Sequence, residues 1–207
     1  MKSAPGFSLI EILVVITIIG LLIGLSAGAY TQWIQRGEEA KTDSVIQNLG
    51  VYAEEYVNVC GDYPPSSLKY LGISSTGDSA NEGIEALVAA LFRKNYTGAR
   101  PGSASDLVNT DEDSADKNIS SFATAVLLEF QDAWYNPVIY ISCRDYSESF
   151  TYLIESPETD REPVEVQALI NPVTGTFYNF DSYQLISVGP DGIFDTEDDL
   201  ANFTRQE

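Results

Sequence analysis

Two hydrophobic patterns divide the chain. From Phe7 to Tyr30 the run FSLIEILVVITIIGLLIGLSAGAY is apolar on every face and holds one ionisable group, Glu11. As a helix it extends about 35 Å, enough to cross a bilayer core. Helices in globular cores rarely stay apolar all round for so long, so 7–30 is expected to be a transmembrane helix. A removable secretory signal is the competing reading, with Lys2 as its basic region and Ala27-Gly28-Ala29 as its cleavage site. Against it, the stretch exceeds an apolar signal region of about 7–15 residues and Glu11 interrupts it. Gly20, Gly24 and Gly28 share one face at four-residue spacing. They let neighbouring helices approach closely, and each weakens the helix by about 1 kcal/mol relative to Ala.

Beyond Tyr30 the pattern becomes amphipathic. Ile34, Val45, Leu49, Tyr52, Tyr56 and Val59 recur mostly at three- and four-residue steps, with Arg36, Glu38, Glu39, Asp43, Glu54 and Glu55 on other faces. The helix is expected to stop at Gly61-Asp62-Tyr63-Pro64-Pro65. Glu82 to Asn95 reads as a second helix with Ile84, Leu87, Val88 and Leu91 inward. A polar loop is expected over 98–118 and another helix over 119–131. Strands are expected at 137–142, 150–154, 164–170, 177–178 and 184–188, with a turn at Asn171-Pro172-Val173-Thr174-Gly175. The fold class is therefore α+β: a long N-terminal helix whose second half packs on a C-terminal antiparallel sheet.

Charge sharpens the division. The chain of 207 residues carries 11 Lys and Arg against 31 Asp and Glu, a net charge of −20. Lys2 and Glu11 cancel, so the body beyond residue 30 carries the whole excess. Such a surface argues against nucleic-acid binding, which needs clustered cations. The chain has no His, which removes the commonest general base and zinc ligand and argues against hydrolytic catalysis. A non-enzymatic role is expected.

Glu11 is the informative residue of the head. A carboxylate in a spanning segment costs roughly 2.5–3.5 kcal/mol on insertion scales and calls for a partner. Cutting after Gly6 would place a new ammonium on Phe7, about one helical turn from Glu11. That ammonium, on the same or a neighbouring chain, is the natural counter-charge.

The stretch Gly6-Phe7-Ser8-Leu9-Ile10-Glu11 followed by ILVVITIIGLL resembles the processing and assembly motif of type IV pilins and type II secretion pseudopilins. The resemblance implies a leader of residues 1–6, cleaved between Gly6 and Phe7 by a prepilin peptidase that methylates the new amino terminus. It also implies that Glu11 neutralises the amino terminus of an adjacent subunit, and that 31–207 forms a periplasmic pilin-like domain. Gly61-Asp62-Tyr63-Pro64-Pro65 and Asp132-Ala133-Trp134-Tyr135-Asn136-Pro137-Val138-Ile139-Tyr140 resemble the G-x-Y-P and D-P-W-G-N-P-Y-x-Y patterns of the major pseudopilin. Ala133 and Tyr135 stand where that pattern has Pro and Gly.

Asp191, Asp195, Glu197, Asp198 and Asp199 put five acids into nine positions. Oxygen ligands without His suit calcium, and the spacing is not that of an EF-hand; a solvated acidic turn is the alternative. The segment resembles the calcium loop of major pseudopilins. That implies carboxylates from Asp191, Glu197 and Asp199 and carbonyls from Val188 and Asp198, with Asp195 as a substitute ligand. Cys60 ends the long helix and Cys143 follows a strand, so a disulfide joining sheet to helix competes with two free thiols.

The expected function is thus a structural subunit of a type II secretion pseudopilus. Its partners would be further copies of itself, other pseudopilins, the prepilin peptidase, the inner-membrane assembly platform and the membrane. It would be a single-pass protein of the bacterial inner membrane with a periplasmic C-terminal domain. A type IV pilin or minor pilin of a surface pilus is the alternative within the same class. More distant ones are a secreted calcium-binding domain beginning near Tyr30 and an enzyme anchored by the head.

Overall fold

The computed structural model describes residues 8–77, 79–101 and 107–206, with only the backbone described at 25–29 and 31. The expected leader and the Gly6–Phe7 junction lie outside the described residues. Helix α1 runs Leu9–Cys60, and the chain divides into two compact units, Met1–Glu38 and Glu39–Glu207.

In the first unit the helix keeps its apolar side chains in the open, from Leu9 at 83% exposure to Ile23 at 65%. Among the described residues no helix is long and apolar enough to cross a membrane. The described apolar side chains run from Leu9 to Gly24, a helical length of about 24 Å against a core of about 30 Å. The expected span of 7–30 also needs Phe7 and the side chains of 25–29, which are not described.

The second unit is α+β. Its part of α1 buries Ile46, Leu49 and Ala53, with Val45, Tyr52 and Tyr56 packed at the margin. Ile34 and Val59 of the expected stripe stay exposed. The helix stops where expected: Gly61 takes φ +84° and its N–H donates to the Val57 carbonyl, a left-handed helix end that glycine adopts without steric cost. Helix α2, Glu82–Leu91, is shorter than expected and almost wholly buried.

Among the described residues seven short strands follow in chain order: β1 Leu107–Val108, β2 Glu129–Phe130, β3 Ile139–Ser142, β4 Ser149–Ile154, β5 Glu162–Gln167, β6 Tyr183–Ser187 and β7 Leu200–Ala201. They form three small antiparallel sheets, β1-β2, β3-β6-β7 and β4-β5, instead of the single sheet expected. The segment 119–131 is not a helix. Its backbone is taken up by the end of α2, through Lys94 N–H to Ile119 carbonyl and Ser121 N–H to Phe92 carbonyl. A 3₁₀ turn at Leu68–Leu71 caps a second apolar cluster with Ile73, Ala86, Ala89, Ala90, Ala115 and Leu127.

Candidate functional site

Glu11 lies in the first turn of α1. Its Oε2 accepts the Ser8 N–H at 3.4 Å, while Glu11 N–H and Ile12 N–H donate to the Ser8 carbonyl. Ser8-Leu9-Ile10-Glu11 has the S-x-x-E form of a capping box, and this is its reciprocal half: the third residue reaching back to an otherwise orphaned donor. Around Glu11 the described surface is apolar and exposed.

The Asp132–Pro137 turn ties the second half of α1 to the sheets. Asp132 Oδ1 accepts the N–H groups of Trp134 and Asn136, both at 2.9 Å, and Oδ2 accepts the Ser187 hydroxyl at 2.6 Å. Ala133 N–H donates to Thr42 of α1 at 3.0 Å. Asn136 exchanges two hydrogen bonds with the Glu155 backbone. Tyr135 takes φ +70°, so the left-handed conformation is kept at the position where the resembled pattern carries Gly. Burial raises the Asp132 carboxyl above its usual range, against its hydrogen bonds from Ser187, Asn136 and Trp134.

The C-terminal acids are partnered by the chain itself. Asp191 N–H donates to Asp198 Oδ2 at 3.2 Å, Ile193 N–H to Asp191 Oδ1 at 2.8 Å and Asp195 N–H to Asp199 Oδ2 at 2.9 Å. The Thr196 hydroxyl donates to Asp198 Oδ1 at 2.6 Å. Arg205 pairs with Asp195 and, at 3.5 Å, with Asp199. Burial pushes the Asp199 carboxyl up to about 6, with Arg205 pulling the other way. Glu197 is exposed and Val188 buried. The carboxylates of Asp191, Asp195, Asp198 and Asp199, expected around calcium, thus accept backbone donors, a hydroxyl and a guanidinium from the chain itself.

Cys60 and Cys143 are free thiols, so the expected disulfide is not formed. Cys60 acts on Tyr56 and Tyr96, whereas Cys143 lies among Asp181, Tyr140 and Tyr146. The two sulfurs face different surroundings, although Arg144 beside one and Asp62 near the other form an ion pair.

One constellation escaped the sequence. Among the described residues, Glu85, Asp111 and Glu129 are the one group of three acids whose carboxylate oxygens all lie within 4.8 Å of one another. Its signal was a glutamate inside the apolar helix EGIEALVAAL, flanked by inward residues.

Residues 1–27 match the family model of the prokaryotic N-terminal methylation motif. No solved structure matches the chain.

Proposed function

We propose, from the N-terminal methylation motif, that this chain is a structural subunit that polymerises into a filament, most like the pseudopilus of a type II secretion system. The motif supports a type IV pilin-like family, pilins and pseudopilins alike. The observation that carries the reading is this match over residues 1–27, with its acid, Glu11, at the start of an exposed apolar helix.

The mechanism is association, not catalysis. Apolar side chains from Leu9 to Ile23 stand in the open on the isolated chain, a surface far too extensive to leave in water. In the membrane, lipid covers them with 7–30 spanning the bilayer. After cleavage behind Gly6, neighbouring heads cover them in the filament. Glu11 then meets the ammonium of an adjacent Phe7, and this pairing sets axial register because a carboxylate among apolar helices is tolerable only where a cation reaches it.

Co-expression with a prepilin peptidase tests the proposal. Mass spectrometry of the mature chain should find an N-methylated Phe7, and a product beginning near Tyr30 would overturn the reading. Glu11→Gln should be cleaved normally yet yield no filaments by electron microscopy. Loss of cargo secretion, with no fibres missing from the cell surface, would separate a pseudopilus from a pilus.

A further inference from the structure

The first turn of α2 drives a carboxylate into the interior. Glu85 is 1% exposed, and both its carboxylate oxygens are buried with no hydrogen-bond donor among the described residues. An isolated buried carboxylate of this kind is costly unless something compensates it. Glu85 is aimed at Asp111 and Glu129, with one oxygen of each within 4.8 Å of the other two, and Asp113 acts on it as well. The residues come from three segments: α2, the turn after β1, and β2. The pairing of Val108 with Glu129 holds the first residues of that turn beside β2.

Among the described residues, neither Glu85 nor Glu129 forms an ion pair. After burial, the strongest influences on Glu85 are Asp113, Asp111 and Glu129, all acids. Arg161 reaches the same turn but donates to the Thr110 and Tyr135 carbonyls and pairs with Glu155 at 3.7 Å. Glu129 accepts from Asn81 Nδ2 and Thr110 Oγ1, each at 3.1 Å. Two oxygens held by one calcium ion at about 2.3–2.6 Å are at most about 5 Å apart. The three carboxylates therefore already stand within the span of a single ion.

We propose that Glu85, Asp111 and Glu129, with Asp113 alongside, form a buried calcium site. The donors are all oxygen, which excludes the softer metals that favour His and Cys. Magnesium keeps several waters in a rigid octahedron, which a site built on the buried Glu85 and Glu129 does not suit, whereas calcium accepts irregular oxygen cages. Without the ion, protons take its place: burial and the neighbouring acids push the Glu85 carboxyl up to about 11, and burial and Asp111 push Glu129 up to about 7. Binding therefore releases protons and fastens the turn after β1 to α2. The site is independent of the filament reading.

The test uses the full chain in detergent, stripped by chelator, with radioactive calcium dialysed against it near neutral pH in excess magnesium. Wild type should bind one calcium with release of protons into weakly buffered solution. Glu85→Gln and Asp111→Asn should each weaken binding at least about tenfold, while the double variant Asp191→Asn, Asp199→Asn should leave it unchanged. Glu85→Gln keeps the shape of the protonated acid, and Asp111→Asn, at a half-buried position, decides the matter alone if the first fails to fold. The proposal is overturned if wild type binds no calcium, if binding survives both variants, or if it is lost only with the C-terminal loop.

Discussion

A tyrosine held at φ +70° crowds its Cβ against the following carbonyl, a cost of roughly 1–2 kcal/mol that glycine escapes. At Tyr135 the side chain does little to offset that cost: the residue is 67% exposed, and its hydrogen bonds, from Gln131 and Arg161 to its carbonyl and from its N–H to the Asp132 carbonyl, are made by backbone atoms that glycine would keep. Tyr135→Gly should therefore stabilise the protein by roughly 1 kcal/mol after the added freedom of the unfolded chain is subtracted. A higher urea midpoint with an unchanged slope would establish it. The sequence pattern exposed this residue as a departure from Gly, but not that the backbone would keep glycine's conformation. That depends on Asp132, whose carboxylate gathers two N–H groups of the turn and a hydroxyl from β6. Glu11 also has two separable duties. Its carboxylate caps Ser8, which Gln does nearly as well, whereas pairing with an ammonium needs the charge. Glu11→Gln should leave helix content by circular dichroism unchanged while assembly fails. If helix content falls as far as in Glu11→Ala, the charge is also needed for the cap.

Helix α2 shows what periodicity reads and what it leaves out. Ile84, Leu87, Val88 and Leu91 were legible as inward residues, and all are buried. That Glu85 and almost all of the remaining surface would be buried too was not, because it depends on partners distant in sequence. Gly83 is the closest contact: a Cβ there would overlap the Tyr140 carbonyl oxygen and the Tyr152 hydroxyl. Tyr152 itself donates to the Tyr140 carbonyl at 3.3 Å and accepts the Tyr140 N–H at 3.0 Å. Gly83→Ala should thus destabilise by about 1–3 kcal/mol, despite the helix propensity alanine gains, with unfolding in urea as the check; a neutral result would mean that α2 can shift off β3. Strands β3, β4 and β6 were readable because each is a run of apolar or alternating residues. The two-residue strands β1 and β7 exist through pairing alone, Val108 with Glu129 and Leu200 with Ser187, and no local pattern announces them. The expected helix at 119–131 failed for the same reason, since Phe92 and Lys94, just after α2, bond the backbone of Ser121 and Ile119 and β1 pairs with 129–130.

For the whole molecule, buried acids set the dependence of stability on pH. Burial first, then neighbouring acids, holds Glu85 up at about 11 and Glu129 at about 7. Burial also holds Asp199 at about 6 and raises Asp132. In the unfolded chain each of these groups ionises near pH 4. Between about pH 4 and pH 7 the folded protein keeps protons that the unfolded chain gives up, so stability falls as pH rises through that window. Above it Glu85 continues the decline towards its own raised value, joined at higher pH by Cys143 and the buried tyrosines, which burial also raises. The net charge of −20 acts in the same sense, because each further ionisation adds to repulsion within the body. The metal-free protein should therefore unfold at a lower urea concentration at pH 8 than at pH 5, the reverse of a protein whose carboxylates are held by salt bridges. Calcium should oppose this trend, since an ion bound by Glu85, Asp111 and Glu129 needs their ionised forms. The gain in midpoint on adding calcium should be small at pH 5 and grow towards pH 8. A metal-free midpoint that rises between those values would mean that these carboxyls are ionised in the folded protein and that a cation other than calcium already balances them.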